Sequence, residues 1–131
     1  MCCLFYLIMK FKSISFTIKE FYNLFKEGNL NLKPHYQRND VWSKNDQTDL
    51  IDSIIKNYPL PTFFIYERSK GKYEVVDGKQ RATTIFEFLS NQVKTNENFS
   101  IKDINIKEFE NYILSITEIY DSTDEEIESF Y

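Results

Sequence analysis

The sequence predicts a single α+β domain, in which helices flank a small mixed β-sheet. Three observations predict it. The 131 residues are enough to bury roughly two-thirds of the surface of the unfolded chain. Segments that alternate polar and apolar residues are interleaved with segments whose apolar residues recur every three or four positions. No internal repeat and no linker rich in Pro, Gly or Ser divides residues 1–131. The predicted order, βα–loop–α–ββ–α–βα, is typical of a compact α+β fold.

The first predicted elements are a strand and a helix near the N-terminus. Residues 10–16 alternate polar and apolar side chains and are predicted to form a strand. Thr17 is predicted to begin the following helix as its N-cap, with Glu20 as its partner in a capping box. Gly28 is predicted to end that helix, and residues 29–33 are predicted to be short and extended.

The middle of the chain is predicted to hold a loop, a second helix and a hairpin. Residues 35–42 fit neither period and are predicted to be a loop. Ser43 is predicted to cap a helix with an apolar stripe, which Pro59 ends. Residues 62–67 and 73–76 are predicted to be the two strands of the hairpin.

The last third is predicted to hold a helix, a long polar segment, a strand and a final helix. Residues 82–89 place apolar side chains at spacings of three and four. Residues 91–111 are predicted to be loop with one short helix, and residues 112–119 a strand. Ser122 and Glu125 are predicted to form a capping box for the final helix.

Composition and charge exclude several classes of protein. The net charge is −4, whereas a typical nucleic-acid-binding protein carries an excess of basic residues. Cys2 and Cys3 are adjacent, neighbouring cysteines rarely form a disulfide, and no metal-ligand spacing surrounds them, which favours a reducing compartment. The apolar opening is too short to span a membrane, and residues 1–8 are interpreted as a leader or as the start of the first strand. A cytoplasmic location is therefore expected.

Few familiar catalytic motifs are available to this chain. His35 is its one histidine, which excludes zinc sites and nuclease sites that need several histidines. The chain has three glycines and neither a G-x-x-x-x-G-K-[ST] nor a G-x-G-x-x-G stretch. No metal-ligand cluster is predicted.

An unusual polar corner joins the strand at 73–76 to the next helix. It consists of Asp77, Gly78, Lys79, Gln80 and Arg81. The first N–H groups of a helix carry partial positive charge and attract anions, so cations there are unfavourable unless an anion is bound. The residues leave two interpretations open. Either the corner binds a phosphate, or Asp77 caps the helix and the other side chains are simply exposed.

A second polar group lies in the stretch YQRNDVW, residues 36–42. Arg38 could supply a further phosphate contact, with an aromatic side chain available to stack on a base. The alternative is an ion pair between Arg38 and Asp40 beside a buried Trp42.

Together these two stretches, with the apolar helix ending in YPLP between them, resemble a known family. It is the ParB/sulfiredoxin-like domain at the N-terminus of GmrSD-type, modification-dependent restriction proteins, which carry Y/F-Q-R-x-x-x-W and D-G-Q-Q-R-L-T-T-[IL] motifs. The resemblance extends from about residue 14 to the end. The matching residues are Tyr36, Gln37, Arg38 and Trp42 in the first motif, and Asp77, Gly78, Gln80, Arg81, Thr83 and Thr84 in the second.

The resemblance implies a nucleotide-binding domain, related to an NTPase whose hydrolysis regulates DNA cleavage. The expected ligand is an NTP with Mg²⁺, and Asp77 is the expected catalytic residue. The residues expected to bind the nucleotide are Tyr36, Gln37, Arg38, Asp77, Gly78, Lys79, Gln80, Arg81, Thr83 and Thr84.

Departures from the family pattern suggest an alternative function for this chain. Lys79 replaces a usual Gln and Ala82 a usual Leu, and the chain ends where family members continue, which predicts a C-terminally truncated relative without a nuclease site. The alternative function is a non-catalytic module that binds a separate nuclease or a full-length homologue. No cysteine lies near the corner, so the sulfiredoxin reaction is not expected, and direct DNA binding is disfavoured by the net charge.

Overall fold

A computed structural model describes residues 8–32, 42–90 and 104–130 of the chain. Within these ranges it has five strands and five helices, which confirms the predicted α+β class. They are β1 (Lys10–Thr17), α1 (Ile18–Lys26), β2 (Leu30–Asn31), α2 (Lys44–Ile55), β3 (Phe63–Ser69), β4 (Lys72–Asp77), α3 (Lys79–Leu89), α4 (Ile106–Glu110), β5 (Ile113–Tyr120) and α5 (Asp124–Phe130).

The five strands form one mixed sheet in the order β1-β5-β3-β4-β2. β1 pairs antiparallel with β5, and β3 pairs antiparallel with β4 as the predicted hairpin. The two other contacts, β3 with β5 and β2 with β4, are parallel. β3 therefore lies at the centre of the sheet, with β5 on one side and β4 on the other.

Side-chain caps begin four of the five helices. Thr17 and Glu20 form the predicted capping box of α1, and Ser43 caps α2 as predicted. Asn105 caps α4 by accepting hydrogen bonds from the backbone of its first turn. The predicted capping box of α5 was wrong by one residue.

The capping box of α5 is formed by Thr123 and Glu126 rather than by Ser122 and Glu125. The Thr123 backbone N–H donates to Glu126 Oε1 at 2.8 Å, and the Glu126 N–H donates to Thr123 Oγ1 at 3.2 Å. Because α5 begins at Asp124, Thr123 occupies the N-cap position, whereas the Ser122 hydroxyl donates back to the Tyr120 carbonyl. Two capping patterns overlap in the sequence, and the helix start decides between them.

The main hydrophobic core lies between one face of the sheet and helices α1 to α4. Neighbouring residues of a strand point to opposite faces, and Ile65 of β3 and Val75 of β4 face this core. Tyr66 and Val76, the next residues along, face a smaller cluster under α5 with Ile119 and Ile127. Helices therefore cover the first face, whereas the short α5 packs on the second.

The fold positions the polar corner beside the start of β3. β4 runs antiparallel to β3, and Asp77 at its end pairs with Phe64, next to a register shift in the hairpin. The chain then reverses at Gly78 and α3 returns over the main core. The turn that enters β3 is consequently in reach of the first turn of α3.

Candidate functional site

The corner between β4 and α3 is the only described helix start without a side-chain cap. Gly78 is the N-cap residue of α3, with φ 106° and ψ 15°, and α3 has no acidic residue in its first turn. One interpretation of the sequence was that Asp77 caps this helix. That interpretation is wrong, because Gly78 occupies the N-cap position. In a helix start of this kind the first backbone N–H groups have no intrahelical partner and can donate to a bound anion.

Glycine is required at position 78 for two reasons. Its positive φ is unfavourable for residues with a side chain. In addition, a Cβ atom would lie 2.6 Å from Cδ2 and 3.2 Å from Cε2 of Phe63. The corner therefore packs directly on the Phe63 ring.

Arg81 is bound to the turn that precedes β3. Its Nη1 donates to the Pro61 carbonyl, and its Nη2 donates to the Thr62 carbonyl at 3.1 Å. The guanidinium carbon lies 4.2 Å from the centroid of the Phe63 ring, in a cation–π contact. One side chain thus ties the first turn of α3 to the central strand, using two of its five N–H donors.

The charges of the corner are close enough to influence one another. Burial lowers the pKa of the Arg81 guanidinium, and the carboxylate of Asp77 partly opposes that effect. Asp77 itself is exposed, and Lys79 is half-buried at the start of α3. The corner therefore holds two cations at the positive end of a helix, with one carboxylate beside them.

The two threonines of the second motif lie in different environments. Thr83 is half-buried and lines a groove beside α3, whereas Thr84 is 1% exposed on the packed side of the helix. Gln80 is half-buried in the first turn. The corner thus brings together Gly78, Lys79, Gln80 and Arg81, with Thr83 one turn further along.

The first motif is only partly described. Tyr36, Gln37 and Arg38 fall in 33–41, outside the described residues, so their contact with the corner stays a prediction, as does the loop at 35–42. His35 also falls there. Trp42 is described, and its half-buried ring packs against the main core, as expected of a structural tryptophan.

The residues that bind the Arg81 side chain were not predicted from the sequence. Pro61 and Thr62 accept its hydrogen bonds through backbone carbonyls, which no side-chain pattern marks, and Phe63 has the pattern of an ordinary strand residue. The one available signal was the PLP turn at residues 59–61, which places a tight, N–H-poor segment ahead of β3.

In the described ranges, no group of three or more His, Cys, Asp or Glu side chains is arranged to hold a metal ion. Asp77 is the carboxylate of the corner, and a single carboxylate is a usual protein contribution to a Mg²⁺ ion that is also held by phosphates and water. Asp77 thus offers one carboxylate of the kind that such an ion uses. None of the helices in the described ranges has the length and apolar character that crossing a membrane requires.

Comparison with known protein families identifies the chain. The model of the family described as "GmrSD restriction endonuclease, N-terminal domain" matches residues 18–131. The chain belongs to this family. The GmrSD match begins with α1 and contains both motif stretches and the polar corner, so the family expected from the sequence is confirmed. Among curated proteins and among solved structures, none matches the chain.

Proposed function

We propose that this GmrSD N-terminal domain binds a nucleoside triphosphate with Mg²⁺, and that the phosphates lie at the corner from Asp77 to Arg81. The observation that carries the proposal is the contrast between α3 and the other described helices. Those helices begin with capping side chains, whereas α3 begins at a glycine followed by Lys79 and Arg81. A phosphate would accept hydrogen bonds from the start of α3 and would neutralise the cations.

The corner residues take separate roles in this proposal. Backbone N–H groups of the first turn of α3 and the Lys79 ammonium bind phosphate oxygens. Arg81 holds the helix start against the Pro61–Thr62 turn and offers its remaining donors to the same phosphates. Asp77 holds a Mg²⁺-bound water or a ribose hydroxyl, and Arg38 contributes from the first motif.

A charge reversal at Lys79 tests the proposal, because it moves stability and binding in opposite directions. An acid in the first turn interacts favourably with the helix dipole, so Lys79→Glu should stabilise the protein by roughly 0.3–1 kcal/mol. The same change removes a charge-assisted bond and repels phosphate. Binding of the NTP should therefore weaken by at least about tenfold.

Isothermal titration calorimetry with each of the four NTPs and Mg²⁺ provides the measurement. Lys70→Glu is the matched control, since it makes the same charge change on the exposed turn between β3 and β4. It should bind like wild type. Absence of binding by wild type, or equal binding by wild type and Lys79→Glu, would refute the proposal.

Hydrolysis is a further step, in which water would attack the terminal phosphorus of the NTP and release phosphate and the nucleoside diphosphate. Asp77 is the proposed catalytic residue, because its carboxylate would orient that water, and Mg²⁺ would neutralise the charge of the phosphates. Asp77→Asn should then retain nucleotide but release no phosphate in a turnover assay. If wild type binds NTP without releasing phosphate, the domain is the non-catalytic module that binds a separate nuclease or a full-length homologue. A stable complex with such a partner, measured with purified proteins, would be the corresponding positive result.

A further inference from the structure

A groove lies beside α3, on the side where α1 and β2 pack. Its volume is 590 Å³, within the usual range for small-molecule sites. Aromatic and aliphatic side chains form most of its lining, with polar side chains at its rim. The lining residues are Tyr22, Phe25, Leu30, Asn31, Leu32, Thr83, Phe86, Glu87 and Ser90.

Three aromatic rings form the wall of this groove. The rings of Phe25 and Phe86 are stacked, with centroids 4.7 Å apart and an angle of 18° between their planes. The Tyr22 ring lies 5.4 Å from Phe86 at 30°. Phe86 is 4% exposed and fixed in the core, whereas Phe25 is 37% exposed. The wall therefore presents an accessible aromatic surface on a rigid support, which is the arrangement that stacking on a planar ligand requires.

One face of α3 leads from the polar corner to the groove. Lys79, Thr83, Phe86 and Ser90 follow one another at spacings of four, three and four residues, so they lie on the same side of the helix. Seven residues separate Lys79 from Phe86, which corresponds to a rise of about 10 Å. A nucleotide that follows this face would have its phosphates at the corner and its base at the aromatic wall.

We propose that the groove binds the heteroaromatic base of the nucleotide whose phosphates occupy the corner. The inference rests on the proposed function, and it adds the part of the ligand that the corner does not hold. The base stacks against Phe25, and the side chains of Glu87 and Ser90 at the rim reach hydrogen-bonding groups on its edge. Thr83 lies between the two halves of the site.

Comparison of an NTP with inorganic tripolyphosphate separates the base from the phosphates. Both are titrated with Mg²⁺ into the full chain. Stacking of a base on an aromatic side chain contributes about 1–3 kcal/mol, so at least one NTP should bind about 5- to 150-fold more tightly than tripolyphosphate. Saturation-transfer NMR should also show contact between the protein and the protons of the base.

Two variants test whether the groove is responsible for that difference. Phe25→Ala removes the accessible ring, and Ser90→Trp fills the groove from an exposed position at the end of α3. Each should abolish the advantage of NTP over tripolyphosphate and leave tripolyphosphate binding unchanged. Phe130→Ala is the matched control, because this ring is 45% exposed on the other face of the sheet. If Phe25→Ala does not fold, Ser90→Trp alone decides.

The outcomes distinguish this inference from the proposed function. Equal binding of tripolyphosphate and all NTPs by wild type would overturn the groove assignment and leave the phosphate site in place. An advantage for NTP that persists in Ser90→Trp would also overturn it. Failure of wild type to bind either ligand would overturn both.

Discussion

Replacement of Arg81 should destabilise the protein even when no nucleotide is present. In Arg81→Ala the carbonyls of Pro61 and Thr62 lose their charged donor, and the Phe63 ring loses its cation. A hydrogen bond to a charged group contributes roughly 1.5–3 kcal/mol, and an exposed cation–π contact about 0.5–1 kcal/mol. Arg81 is only half-buried and water can replace part of these interactions, so the expected loss is about 2–4 kcal/mol.

Urea denaturation of the ligand-free protein measures this loss of stability. The variant Arg81→Lys separates the contribution of the charge from that of the planar guanidinium. Lysine keeps the charge but lacks the planar fork that reaches both carbonyls, so it should recover less than half of the stability. For a domain of this size, 3 kcal/mol corresponds to a decrease in Tm of roughly 10 °C.

Lys70→Ala is the control for loss of a cation at the surface. Lys70 is exposed on the turn between β3 and β4, so its removal should change the stability by no more than about 0.5 kcal/mol. The anchoring role of Arg81 is refuted if the stability of Arg81→Ala lies within about 0.5 kcal/mol of wild type, or if Arg81→Lys is as stable as wild type. Either result would mean that the guanidinium does not anchor the corner.

Three further predictions concern glycine, capping and alkaline pH. Gly71 has a φ of +77° and open space around it, so Gly71→Ala should lower the free energy of unfolding by about 1–2 kcal/mol. Gly78→Ala should lower it by about 1–3 kcal/mol more, because its Cβ would clash with Phe63. Equal losses of stability in urea would contradict the close contact at Gly78. Thr123→Ala should destabilise by about 1 kcal/mol and Ser122→Ala by less than about 0.5 kcal/mol, and the reverse order would reinstate the original capping prediction. Burial raises the pKa of the Tyr112 hydroxyl, so the stability that this group contributes is present below about pH 10 and is lost as pH rises through the folded-state pKa. Tyr112→Phe should therefore lose less stability than wild type between about pH 9 and pH 11, and identical urea profiles would refute this.

Most elements were predictable because their local signals agree with the final packing. The capping box of Thr17 and the stripe before Pro59 placed α1 and α2, and alternation with a turn between placed the β3–β4 hairpin. In the structure the ends of the predicted strands are displaced by at most two residues, and α3 begins at Lys79, within the corner. Local patterns identify the type of an element better than its ends, since pairing with a neighbour decides where a strand stops.

The charged residues of the candidate site could be predicted from the sequence, but the backbone groups that bind Arg81 could not. Lys79 and Arg81 at a helix start conflict with the helix dipole, and that conflict is visible in the residue types alone. The partners of Arg81 are backbone carbonyls about 20 positions earlier in the chain, and no side-chain pattern marks them. Thr84 illustrates the same limit of residue types, because its hydroxyl suggested a ligand contact and its position on α3 places it in the core.

The position of β5 has a consequence for how the chain folds during synthesis. β5 lies second in the sheet but leaves the ribosome after the other four described strands, and both β1 and β3 pair with it. Before β5 is synthesised, the β3–β4 hairpin and α3 can form from local contacts, including those of Arg81. β1 at that stage lacks β5, the strand with which it pairs. A nascent chain stalled before Ile113 should therefore expose the open edge of β3 and depend on a chaperone.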